Sequence, residues 1–367
     1  MAVAGFVTVR LFVLGALLLA TEEQGKSGYR LLTKWDAQWY AGIADNGNGF
    51  VRVHEDGRLL ADYVFFPLLP LLERAVAGMT GLASVDAGLV VSAVASVVAA
   101  AGIFAVADHL FGPRTGVIAA VLWAALPVGI VQSMAYSEGL FTAVSAWALH
   151  AILKDRWLIA GVLACAAGLT RPVGAAVIAA LLVAVVLHSV RVGDSKRGSR
   201  RPRLSPRPLA AAAIAPLGLL GYITWVGWQV GGATGYFNVA SEWGNGFDGG
   251  VAFTRWIGHL LTGPAPVTGV LVLAGLALLA LLVFLCVKQR QPLPLIVFVS
   301  ALVVLALTTS GYFGSKPRYL LPAFPLLFPL AQWLARRPIG VAVAVLATAT
   351  AIAAIYGSVW LLGPGPP

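Results

Sequence analysis

The chain has 367 residues, enough for two or three soluble domains, but its composition excludes them: 59% of residues are hydrophobic, 11% are charged and the mean hydropathy is +0.87. Soluble domains carry about 25% charged residues to face water, so the solvent of this chain is largely lipid. The net charge of +10 does not indicate nucleic acid, because seven basic residues (Arg191, Lys196, Arg197, Arg200, Arg201, Arg203 and Arg207) gather in one Pro-, Ser- and Gly-rich stretch without interleaved aromatics. That is the composition of a cytoplasmic loop, 191–208, drawn to anionic lipid headgroups.

A helix needs about 20 apolar residues to cross the hydrocarbon. Such runs occur in chain order near 3–20, 87–110, 115–133, 138–153, 157–170, 173–190, 209–230, 265–287, 293–310, 319–335 and 339–362. They predict an all-α polytopic bundle of about 11 spans, one integral membrane domain over 1–367, with none of the ten-residue alternation of a β-barrel. Arg10 interrupts the first run and is expected to snorkel to the cytoplasmic interface. That run reads as an uncleaved span, a cleaved signal peptide being the alternative. With the N-terminus in the cytoplasm, fourteen basic residues fall in cytoplasmic turns against four in the short outer loops, the positive-inside pattern. The 21–86 segment and the 231–264 loop then lie outside. Cys165 and Cys286 sit in apolar runs, and the five histidines are scattered, so neither a disulfide framework nor a zinc site is indicated. No internal repeat is visible, which speaks against a transporter built from inverted halves.

The first outer loop carries the most chemistry. Thr33 is placed to cap a helix from Lys34, on which Trp35, Trp39 and Ile43 form one face and Asp36 and Tyr40 another. Such a helix suits the outer membrane interface, and Asp45-Asn46-Gly47 ends it with turn residues. A hairpin-like polar stretch follows, then Asp62-Tyr63 and Phe65-Phe66-Pro67. Asp36 reads two ways: Thr33-x-x-Asp36 matches a capping box, and an acid among aromatics at the membrane face suits catalysis.

The run KWDAQWYAGIADNG followed by DYVFFPLLP resembles the first outer loop of the PIG-V mannosyltransferase family, multispanning enzymes of the GT-C class. AYSEGLF (Ala135–Phe141), GLTRPVG (Gly168–Gly174) and KPRYLLPAFPL (Lys316–Leu326) continue the resemblance in order. Two features depart from the family pattern: Asp62 is the nearest acid before Phe65-Phe66, and Pro172-Val173-Gly174 stands where the family has an Asn.

The resemblance implies a glycosyltransferase using a polyprenyl-phosphate sugar, mannose by family expectation, with Asp36 as general base toward an acceptor hydroxyl. No metal or other cofactor is required by that scheme. The departing phosphate calls for cations on the same face, and Arg171, Lys316 and Arg318 are the candidates. Tyr40, Asp62, Tyr63, Glu138 and Trp243 are candidate acceptor or sugar contacts. Glu138 reads equally as an acid at a helix N-terminus or as a residue orienting Arg171 or the acceptor. Short loops and Ala-, Val- and Gly-rich spans suit a bacterial cell membrane, with the active site outside and an envelope glycan, lipid or secreted protein as acceptor. A lipid-linked sugar transporter or flippase is the alternative.

Overall fold

The computed structural model describes residues 1–53, 56–194, 206–363 and 365. It opens with α1 (Ala2–Glu23), the short α2 (Gly28–Leu32) and α3 (Asp36–Asn46). A hairpin of β1 (Val51–Val53) and β2 (Leu59–Ala61) follows, antiparallel with Arg52 opposite Leu60. Next come α4 (Leu68–Thr80), α5 (Ser84–Phe111), α6 (Pro113–Ala124), α7 (Ser137–Leu153), α8 (Trp157–Gly168) and α9 (Ala175–Asp194). The second half holds α10 (Pro206–Ile214), α11 (Leu217–Gln229), α12 (Gly235–Glu242), α13 (Val251–Thr262), α14 (Pro266–Lys288) and α15 (Leu293–Thr308). The one-turn α16 (Lys316–Tyr319), α17 (Phe328–Ala335) and α18 (Ile339–Leu362) complete the chain.

The chain is an all-α integral membrane protein, but its apolar runs are not eleven equal spans. Among the described residues six helices are long and apolar enough to cross a membrane: Ala2–Glu23, Ser84–Phe111, Pro172–Arg191, Pro206–Gln229, Pro266–Lys288 and Ile339–Leu362. The run expected over 115–133 is broken, with α6 and a 3-10 segment (Pro127–Ser133) meeting at 83°. Pro127 accounts for the break: it offers no N–H to the helix and pushes Leu126 into extended backbone. The runs expected over 157–170, 293–310 and 319–335 are likewise short helices. Of the basic stretch 191–208, Lys196, Arg197, Arg200, Arg201 and Arg203 lie outside the described residues.

Arg10 does not snorkel. It is buried inside the bundle, where Nε and Nη2 donate to Ser133 Oγ at 3.2 and 2.8 Å and Nη1 to the Ala124 carbonyl at 3.3 Å. The broken helix exposes carbonyls that lipid cannot satisfy. Arg10 takes that of Ala124, and Gln132 Nε2 takes that of Trp123 at 2.9 Å. The cation thus sits at the negative end of α6.

The central packing depends on small residues, as expected where lipid supplies no hydrophobic drive between helices. α5 lies against α7 with Gly102 facing Ala146 and Ser96 facing Gly139. α8 approaches α11 closely enough that a Cβ on Gly218 would collide with the Cys165 carbonyl. By contrast α14 turns Val270, Leu271, Leu281 and Phe284 outward, the surface a lipid-facing helix presents.

Below the hairpin, Trp39 stacks between Phe50 and Phe65 (centroids 5.4 and 5.5 Å), and Trp243 packs edge-on to Trp39 at 4.8 Å. The aromatic face of α3 is therefore turned into protein, against α4 and α5, rather than outward as an interfacial helix would turn it.

α4 brings a second acid inside. Glu73 is fully buried, and Gly88 of α5 makes room for it: a Cβ there would stand 2.5 Å from Glu73 Oε1. Neither carboxyl oxygen has a hydrogen-bond partner. Burial, and then the nearby Asp45 carboxylate, push the Glu73 carboxyl up to about 9. The folded protein keeps a proton that the unfolded chain loses above about pH 4.5, so this residue's contribution is full below that pH and falls as pH rises toward about 9. Glu73→Gln has no proton to lose and should gain on the order of 3 kcal/mol over wild type at pH 7, and little at pH 4.5. Unfolding midpoints of both proteins between pH 4.5 and 8.5 check this; parallel curves would mean that Glu73 does not titrate as described.

Candidate active site

Asp36 is the first residue of α3, and the turn before it is not a capping box. The Thr33 hydroxyl donates back to the Tyr29 carbonyl at 2.9 Å, and α3 starts after Trp35, whose φ of 54° is unusual for a large side chain. A non-glycine residue held in that region costs of order 1–3 kcal/mol, offset here by packing of the Trp35 ring against the main core. The Asp36 carboxylate is thus not spent on the helix start. It pairs across the fold with Arg318, Oδ2 to Nη2 at 2.8 Å.

Arg318 opens a chain of polar contacts. Its Nε lies 3.5 Å from Glu138 Oε1, and the same oxygen lies 2.6 Å from Arg171 Nη1. Arg171 Nη1 donates to Ser137 Oγ at 3.0 Å, and the Tyr40 hydroxyl donates to that oxygen at 2.9 Å. Tyr319 lies beside both guanidiniums, with centroid distances of 5.8 Å to Arg171 and 5.5 Å to Arg318. Tyr136 faces Arg318 from 5.1 Å. Two carboxylates and two guanidiniums, drawn from four separate stretches of chain, therefore form one cluster.

Local sequence explains how each is delivered. Glu138 sits in the first turn of α7, where the helix dipole favours an acid. Arg171 projects from the sharp turn between α8 and α9. A Cβ on Gly174 would lie 2.7 Å from the Ala167 carbonyl, and one on Gly168 2.7 Å from the Leu219 nitrogen, so GLTRPVG needs both glycines. Arg318 rides on one-turn α16, which Lys316 anchors: its Nζ donates to the carbonyls of Ala306 and Thr309 at 2.5 and 2.8 Å and lies over the Phe253 ring at 4.7 Å. The lysine thus caps the end of α15 and turns away from the two arginines.

Exposure separates the roles. The Asp36 side chain is 24% exposed and reachable, whereas Glu138 is 1% exposed and lies within ion-pair distance of both arginines. Burial works against the Arg318 cation, but the Asp36 and Glu138 carboxylates more than offset it and hold the guanidinium above its usual pKa. Its Nε and Nη1 remain buried without a hydrogen-bond partner. Burial raises the Tyr40 phenol, which stays protonated and donates to Ser137.

Three candidate contacts lie elsewhere. Asp62 is buried and closes the loop before the hairpin by accepting from the Gly49 N–H at 3.0 Å; burial raises its carboxyl, with that N–H acting against the rise. Tyr63 packs edge-on to Trp225 at 5.8 Å. Trp243 belongs to the aromatic cluster and donates Nε1 to the Ala61 carbonyl at 2.9 Å. Sequence reasoning missed Ser137, Tyr136 and Tyr319, though each neighbours a residue it singled out. No group of three His, Cys, Asp or Glu side chains converges among the described residues. An apolar groove of about 480 Å³ between α1 and α18, lined by Phe12, Ala16, Ala20, Ala351 and Ile355, contains none of the clustered charges.

The family of dolichyl-phosphate-mannose-protein mannosyltransferases matches residues 67–198, which contain Glu138 and Arg171. Among solved structures, ArnT from Cupriavidus metallidurans bound to undecaprenyl phosphate superposes with a TM-score of 0.56 at 16% identity, covering 94% of this chain and 62% of that one. The chain shares the fold of that protein's matched part. The Archaeoglobus fulgidus oligosaccharyltransferase matches with a TM-score of 0.53 at 14% identity, over 100% of this chain and 56% of that one. The archaeal oligosaccharyltransferase AglB from the same organism, in complex with an inhibitory peptide and a dolichol-phosphate, superposes with a TM-score of 0.51 at 14% identity, over 99% of this chain and 56% of that one. The chain therefore spans about three fifths of the length of these structures. No curated protein matches it.

Proposed function

We propose that this chain is a membrane glycosyltransferase of the GT-C class that moves a sugar from a polyprenyl-phosphate donor to an acceptor hydroxyl. The observation that carries the reading is the ionic chain Asp36–Arg318–Glu138–Arg171. It sets one reachable carboxylate beside two guanidiniums that a buried acid holds in position.

In the proposed step the acceptor O–H gives its proton to Asp36, its oxygen forms a bond to the anomeric carbon, and the bond from that carbon to the phosphate oxygen breaks. The electron pair stays on the polyprenyl phosphate, which leaves with one more negative charge than the donor carried. Arg171 and Arg318 stabilise that charge as it develops, where removal from water strengthens the attraction. Placement of acceptor and donor on one cluster supplies the orientation term. Glu138 acts as a positioning residue for the arginines, and Tyr40 with Ser137 supports Arg171 from the other side. Lys316 serves this scheme by anchoring the turn that carries Arg318.

Mannose is the proposed sugar, supported by the match over 67–198 and by the PIG-V-like loop motifs. The positive-inside pattern supports a cytoplasmic N-terminus and a site on the outer face of a bacterial cell membrane. The acceptor class is then an envelope glycan, lipid or exported protein. Purified protein in lipid, supplied with polyprenyl-phosphate mannose and a panel of such acceptors, should release polyprenyl phosphate and form a mannosylated product. Movement of the lipid-linked sugar between leaflets without product formation would favour the flippase reading instead.

A further inference from the structure

We propose that Arg318 is a shared cation, held by Asp36 while the donor site is empty and drawn to the donor's phosphate when it is filled, so that Asp36 is released as a base only in the donor-loaded protein. The inference rests on the transferase reading and adds a coupling between its two halves.

The geometry of one guanidinium carries it. A guanidinium offers two forks to an oxyanion, Nη1 with Nη2 and Nε with Nη2. Nη2 belongs to both, and it is the nitrogen that Asp36 Oδ2 contacts at 2.8 Å. The other two nitrogens, Nε and Nη1, are buried without hydrogen-bond partners. Glu138 stands 3.5 Å from Nε, an ion-pair distance that satisfies no hydrogen bond. Leaving buried donors of a charged group unpaired is costly, so the site as folded has unused capacity for an anion. A phosphate that takes either fork must share or take the nitrogen now on Asp36. Arg318 is 7% exposed and hemmed in by Tyr136 and Tyr319, so it serves both anions from one place rather than swinging between distant sites.

The reaction moves charge in the same direction. Before transfer Asp36 carries one negative charge and the donor phosphodiester one. Afterwards Asp36 holds the acceptor's proton and is neutral, and the released monophosphate carries the charge that the carboxylate lost. The hold of Arg318 on Asp36 weakens as its hold on phosphate strengthens. Both partial steps, proton arrival on Asp36 and charge arrival on the phosphate, therefore favour the same change of partner at Arg318.

The test is a double-mutant cycle on binding, read without any turnover. The full chain in nanodiscs is titrated with a polyprenyl monophosphate, and Kd is measured for wild type, Asp36→Asn, Arg318→Gln and the double variant. Asn keeps the shape of Asp without its charge and stands in for the protonated base. Asp36→Asn should bind the monophosphate about tenfold tighter than wild type. In the Arg318→Gln background the same change should give little or no tightening. Equal affinity of wild type and Asp36→Asn would overturn the proposal. So would tightening that persists without Arg318, since relief of simple repulsion between Asp36 and phosphate needs no shared cation. Binding by none of the four proteins, each checked for a normal unfolding midpoint, would remove the donor reading and this inference together. Binding without the coupling removes only this inference.

Discussion

Asp36→Asn should lower sugar transfer by about 10²–10⁴-fold, the usual worth of a positioned general base, while leaving the fold in place. The substitution keeps the side-chain volume at the first position of α3 and removes the negative charge together with the proton acceptor. The pair it breaks joins a partly exposed Asp36, at 24%, to a buried Arg318, so the stability cost is about 1.5–3 kcal/mol, the worth of a hydrogen bond to a charged group. Arg318 is not orphaned by the change, because Glu138 remains 3.5 Å away. The check is transfer rate at matched amounts of folded protein, with unfolding midpoints measured alongside. A variant as active as wild type would make Asp36 an anchor for Arg318 and send the search for the base elsewhere.

Glu138→Gln should have the larger effect on stability. Glu138 is 1% exposed and is the carboxylate between Arg171 at 2.6 Å and Arg318 at 3.5 Å. Removing one partner of a buried ion pair costs about 3–5 kcal/mol, because the remaining charge stays out of water uncompensated. Here Arg318 would keep only Asp36, and Arg171 would lose the carboxylate it now contacts. The unfolding midpoint should fall by an amount of that order, and added polyprenyl monophosphate should restore more of it than it adds to wild type, since a ligand that binds only the folded state stabilises it. A midpoint equal to wild type would show that the cluster tolerates its excess positive charge, and would leave Glu138 without the positioning role given to it.

The parts of the protein legible in its residues are those decided locally. Lipid as solvent follows from composition, helices from long apolar runs, the hairpin after Gly49 from turn residues, and the end of α3 from Gly47, whose φ of 82° suits glycine. The motif around Asp36, the turn at Arg171 and the stretch at Arg318 could each be singled out, because each is a short run whose residue types are unusual for an apolar chain. What those runs do to one another could not be read, since ion pairing depends on distances between segments far apart in the chain.

The tertiary structure decided the rest. It set Arg318 rather than Lys316 against Asp36, because the lysine is used to cap α15. It buried Glu138 within ion-pair distance of two arginines, Arg171 and Arg318. It drew Thr33 back to the Tyr29 carbonyl, leaving Asp36 free of capping. It also put Arg10 inside the bundle, where a broken helix had carbonyls to offer that lipid could not satisfy. Sequence by itself determined the solvent, the helical class and which charged residues were unusual. Only packing decided which of those charges meet, because a buried charge takes whichever partner the folded backbone brings within reach.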